Sequence, residues 1–151
     1  MRKLLTALGF AIAAFVSAPA AFADQAPVHT GILSNVAVGG YDPVAYFTDG
    51  RPVRGNAQFS TTYQNYEYRF ASAEHLAAFR ANPARYLPQY GGYCAWAVAQ
   101  GYTAPGNPNN WRVVDGKLYL NYDDTVQRRW EANIPGFIAS ANRNWPAVLS
   151  R

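Results

Sequence analysis

Polar and apolar positions alternate with two different periods along this chain. In "AQFSTTYQNYEYRF" (residues 57–70) Tyr66, Tyr68 and Phe70 recur every second residue, so they share one face of a strand. Gln64-Asn65 supplies the turn, and the stretch predicts a β-hairpin. The period then changes. Ser72 is a good N-cap, Glu74 sits where the helix dipole favours an acid, and Leu76 and Phe79 form an apolar stripe. That helix is expected to end at Asn82-Pro83, because a residue before proline avoids helical dihedrals. "WRVVDGKLYLNY" (residues 111–122) predicts a second hairpin, with Asp115-Gly116 as a type I′ turn. Asp123 or Asp124 then caps a helix over "TVQRRWEAN", and Pro135 opens a last helix that carries Phe137, Ile138 and Ala141.

Other stretches read less regularly. Residues 24–38 are small and polar enough for a flexible lead-in. "VAVGGYDPVAYF" (residues 36–47) leans towards β structure, with turns at Gly39-Gly40 and Asp42-Pro43, and residues 48–56 form a loop. "YCAWAVAQG" (residues 93–101) is short and apolar, so periodicity alone leaves helix and buried strand both open; its three alanines favour helix. The order hairpin, helices, hairpin, helices predicts an α+β fold of small antiparallel hairpins packed with short helices. Phe70, Phe79, Tyr86 and Trp111 are the expected core.

The N-terminus adds an address. Arg2 and Lys3 precede an apolar run from Leu4 to Val16, and Ala21-Phe22-Ala23 is a small-x-small cleavage site. This is the pattern of a secretory signal peptide over residues 1–23, with a periplasmic or secreted mature protein starting at Asp24. The run is short for a membrane anchor, and no later stretch is apolar enough to cross a bilayer. Residues 39–151 then form a single domain of ordinary size. Losing Arg2 and Lys3 lowers the formal charge from +4 to +2, and the only later basic doublet, Arg128-Arg129, lies among acids. A nucleic-acid partner, which needs clustered cations, is not expected.

The chain has one cysteine, Cys94, and an exported protein cannot pair it internally. Three roles stay open: a buried inert thiol among Tyr93, Ala95 and Trp96, a ligand of a soft metal, or a redox-active or partner-linked thiol. His75 falls in the first turn of the Ser72-capped helix, where a neutral imidazole can ligate a metal ion. His29 lies in the lead-in. Asp42 reads as a turn residue bonded to nearby amides. Tyr41, Asp42, Tyr90 and Tyr93 are candidate lining for a pocket near Cys94. No Ser-His-Asp, Cys-His-Asn or paired-carboxylate pattern is legible. Gly91-Gly92 lacks the lysine and serine or threonine of a phosphate loop. With two histidines in all, hydrolytic or multi-histidine metal catalysis is poorly supplied.

Taken together, "GYDPVAYF", "YEYRFAS", "AEHLAAFRANPARYLPQYGGYCAWAV" and "WRVVDGKLYLNY" resemble the YHS-domain proteins, in their exported bacterial branch. The resemblance runs from about Gly39 to Trp145. It implies a hairpin followed by a helix, and a metal-binding or metal-associated module. In metal-type members a cysteine follows the Asp-Pro pair and two more flank the hairpin-to-helix junction. Here those positions hold Ala45, Ala71 and His75. The resemblance thus implies a periplasmic accessory protein that binds or senses a metal ion or a small ligand, with His75 and Cys94 as candidate metal ligands and copper or zinc as candidate ions. The alternative is a structural or interaction domain that has lost the family's metal ligands.

Overall fold

A computed structural model describes residues 24–151; the expected signal peptide lies outside the described residues. Two antiparallel hairpins organise the α+β fold. Strands β1 (Asn56–Tyr63) and β2 (Tyr66–Phe70) form the first, with Thr61 opposite Tyr68 and a register shift between Asn56 and Ser60. Its turn residues Gln64 and Asn65 both take positive φ, 49° and 73°, as a two-residue type I′ turn requires. Strands β3 (Asn107–Val114) and β4 (Lys117–Asn121) form the second around Asp115-Gly116, again with both φ values positive.

The helices start where their caps allow. Helix α1 (Ala45–Thr48) precedes the first hairpin, and α2 (Ala73–Ala81) follows it, with the Ser72 hydroxyl accepting from the His75 amide at 3.1 Å. Helix α3 (Pro83–Tyr86) and a short 3-10 turn, Gln89–Gly92, lead to α4 (Ala95–Gln100). Gly101 stops α4 in the left-handed region at φ 93°. Asp123 caps α5 (Asp124–Glu131) through the Val126 amide at 2.8 Å, and α6 (Ile134–Asn144) begins at Asn133 with Pro135 in its first turn.

The stretch 36–47 departs from its expected β character. It makes only isolated bridges, Val36 with Glu67, Ala37 with Thr30 and Tyr41 with Arg54, on either side of a 3-10 turn at Val38–Gly40. Gly39 and Gly40 take positive φ and break the extension. The Asp42 carboxylate then accepts from the Val44 and Ala45 amides at 2.8 and 3.2 Å, which starts α1 instead of a strand.

Strand β4 is buried on both faces. Leu118 and Leu120 join the first core with Phe70, Phe79, Tyr68 and Tyr86. Tyr119, on the opposite face, joins the second with Trp130, Val98 and Ala141. Phe70 and Phe79 pack hairpin against helix, with ring centroids 5.0 Å apart. Trp111, expected in the core, is only half-buried beside Tyr46 at 5.2 Å. Its carbonyl accepts from Gln127 Nε2 at 3.3 Å, which ties β3 to α5.

Residues 24–30, expected as a flexible lead-in, lie across the domain as a strap. Gln25 N bonds the Leu149 carbonyl at 2.8 Å, His29 N bonds Gly91 O at 2.9 Å, and the Tyr93 hydroxyl bonds Ala26 O at 2.8 Å. Gly91 is required there: its φ is +61°, and a Cβ would run into the Pro27 carbonyl. No described helix is long and apolar enough to cross a membrane.

Candidate functional site

Three local devices converge on Asp42. The Asp-Pro turn buries its carboxylate completely. Oδ1 takes the Val44 and Ala45 amides, which hold the start of α1. Oδ2 takes the Ala71 amide at 2.9 Å, from the junction between β2 and α2, and lies 2.6 Å from His75 Nδ1. Each of these contacts matches a physical need: a carboxylate removed from water must be surrounded by donors.

His75 is placed by α2. The Ser72 cap sets the first turn of that helix, and His75 projects from it towards Asp42. With Nδ1 engaged, Nε2 faces the C-terminal end of α1. It lies 3.2 Å from Thr48 Oγ1 and 3.7 Å from Asp49 Oδ1, and the side chain keeps 18% of its surface exposed. The connectivity Asp42–His75–Thr48 resembles that of a nucleophile triad. However, the Thr48 hydroxyl also reaches Asp49 Oδ1 at 2.9 Å and Val44 O at 3.3 Å, and neither pocket described below reaches it. The geometry is therefore that of an oriented imidazole, not of an activated hydroxyl.

Cys94 belongs to another part of the molecule. Its backbone runs beside β4, bridging to Leu120, and its side chain is buried. The thiol lies 3.6 Å from Asn121 Oδ1, which also takes the Trp96 amide at 3.0 Å; Asn121 Nδ2 donates to Gln127 Oε1 at 2.9 Å. Burial pushes the Cys94 thiol pKa up, against a smaller opposing effect of nearby backbone amides. The thiol therefore stays protonated and donates to the buried amide. It borders a pocket of about 170 Å³ rimmed by Trp96, Tyr102 and Tyr122.

The structure thus brings Asp42 and His75 together and leaves Cys94 with Asn121. Tyr41 stacks under Arg54, whose guanidinium carbon is 5.0 Å from the ring centroid. The Tyr90 hydroxyl bonds Asn142 at 2.8 Å, and Tyr93 bonds the strap, so these two rings stiffen the second core and do not line the Cys94 pocket. Burial raises the pKa of both phenols. Thr48, Asp49 and Asn121 have no motif around them that marks them in sequence; they matter because α1, α2 and β4 bring them to His75 and Cys94. Among the described residues no group of three His, Cys, Asp or Glu side chains is arranged to hold a metal ion.

Residues 44–90 match the family model of the YHS domain. That stretch runs from α1 through both strands of the first hairpin to α3 and into the turn after it, and the family it matches is one associated with possible metal binding. No curated protein and no solved structure matches the chain. Asp42 lies just before the matched stretch and Cys94 just after it.

The donor set decides which metal chemistry these residues fit. Thiolate ligation does not fit at the YHS centre: Ala45 is fully buried without a donor side chain, Ala71 offers only its amide, and Cys94 sits elsewhere. The His75 imidazole with the Asp49 carboxylate fits a borderline divalent ion that keeps further ligands from solvent or from another molecule.

Proposed function

We propose that the protein is an exported YHS-domain accessory module that takes up a divalent ion such as Zn²⁺ or Cu²⁺ through His75 Nε2 and Asp49. One observation carries the reading: buried Asp42 holds His75 Nδ1 at 2.6 Å and so aims Nε2 at the end of α1, beside the Thr48 hydroxyl and a second carboxylate. Metal-bound histidines are commonly oriented in this way by a carboxylate on the other ring nitrogen. Two protein donors leave most coordination positions open. That suits reversible loading and transfer better than permanent storage. Export rests on the leader pattern over residues 1–23 and places such uptake in the periplasm or outside the cell.

The test is a titration of Zn²⁺ and of Cu²⁺ into the mature protein, read by calorimetry and by NMR of the His75 ring. Saturable binding of one ion per chain is expected, lost in His75→Gln and weakened about tenfold or more in Asp49→Asn. Equal binding by wild type and His75→Gln overturns the assignment. A second reading is favoured by Ala45 and Ala71: the YHS centre is a scaffold for protein contacts and holds no ion. Absence of saturable binding of either ion selects it.

A further inference from the structure

A cavity of about 220 Å³ opens between the strap, the first hairpin and the segment after α3. Pro27 and Val28 form one wall, Leu87 and Pro88 another, and Gln64, Tyr66 and Tyr68 the third. It shares no residue with the Asp42–His75 centre or with the Cys94 pocket.

Tyr68 makes this cavity more than a packing gap. The residue is 2% exposed, and its ring stacks on Phe79 with centroids 5.1 Å apart. Its hydroxyl has no hydrogen-bond partner among the described residues. The only sealed, unpartnered side-chain atoms there are Arg69 Nε and Trp130 Nε1. The Tyr68 hydroxyl is not one of these sealed atoms, and Tyr68 is one of the residues that line the cavity. Burial and the neighbouring Tyr63 and Tyr66 push its pKa up to about 12, which keeps the phenol a donor at any physiological pH. A donor that no protein acceptor satisfies is open to a ligand that brings its own acceptor.

The other walls narrow the choice of ligand. No charged side chain lines the cavity. The Gln64 amide nitrogen is 3.5 Å from the Tyr63 hydroxyl, which leaves its carbonyl oxygen able to accept. An apolar cavity of about 150 Å³ holds a benzene ring, so this one has room for a ring and a small substituent. We propose that the cavity binds a small, neutral ring compound carrying a carbonyl, which accepts from the Tyr68 hydroxyl while its ring lies between Val28, Leu87 and Pro88. Because Pro27 and Val28 form a wall, the complete site exists only when the strap is docked.

Benzamide is the probe and benzoate, of the same shape but charged, the control. Each is titrated into the mature protein and followed by NMR. Benzamide should give saturable shifts confined to residues 27–28, 64–68 and 87–91. Benzoate should bind at least about tenfold more weakly, because no cation faces a desolvated carboxylate there. Tyr68→Phe, which keeps the ring, should weaken benzamide about fivefold, the worth of one hydrogen bond. Val28→Phe, which fills the cavity, should abolish the shifts. Absence of saturable shifts at these residues, equal affinity in Tyr68→Phe, or shifts clustered at Trp96, Tyr102 and Tyr122 would each overturn the proposal. The Zn²⁺ response of His75 is read separately in the same spectra, so the two sites fail independently.

Discussion

Replacing Asp42 by alanine removes the acceptor from three backbone amides and one imidazole at once. The cavity is small, but the donors left behind are buried. Asp42→Ala should therefore cost about 3–5 kcal/mol, since each buried donor left without its acceptor costs about 1–3 kcal/mol. Denaturant unfolding measures it, and a cost near that of a surface substitution would show that the carboxylate is not a keystone. Sequence made half of this residue legible. Asp-Pro announces a turn whose carboxylate bonds nearby amides, and the Val44 and Ala45 contacts are that turn. The bond to His75 was not legible, because the two lie 33 residues apart and neither has a motif that names the other. His75 and Cys94 both had ligand chemistry, but only the packing could show that they belong to different sites.

At the scale of elements, caps and turns behave as their residues predict. Ser72, Asp123, Gln64-Asn65 and Asp115-Gly116 act on neighbours within a few residues, so tertiary context has little to override. The strap is different. Its small, polar composition gives no sign of the hydrogen bonds to Gly91, Leu149 and Tyr93 that hold it. One of its residues gives it a pH dependence. His29 packs on Tyr93 with ring centroids 5.4 Å apart, and burial lowers its pKa from 6.5. Above 6.5 both folded and unfolded chains leave it neutral. As pH falls below that value the unfolded chain takes up the proton first, so the folded state loses stability until the folded pKa is passed. Wild type should thus lose stability relative to His29→Gln between neutral and mildly acid pH, measured as the difference of their unfolding free energies. A constant difference across that range would mean that His29 titrates alike in both states.

For the whole molecule the decisive element is β4. Leu118 and Leu120 complete the core of the YHS segment, although they lie outside residues 44–90. A chain of that length is marginal on its own, and this one would also lose the part of its core that Leu118 and Leu120 supply. A peptide of residues 44–90 should accordingly show the narrow amide dispersion of an unfolded chain in NMR. Residues 24–151 should instead unfold in one transition, with tryptophan fluorescence and the first-hairpin amides reporting the same midpoint. A well-dispersed spectrum from the peptide would show that the YHS segment carries its own core.

Sequence by itself determined the α+β class, both hairpins with their turn residues, the helix starts, and the YHS resemblance. Each depends on side chains acting on backbone a few positions away, or on a pattern repeated within one element. Tertiary structure alone decided that β4 is buried on both faces, that Asp42 orients His75 beside Asp49, that Cys94 faces Asn121, and that the strap closes a cavity over Tyr68. Those are meetings between segments distant in the chain. They are set by which apolar faces pack together, and that is a property of the whole core which no local window of residues contains.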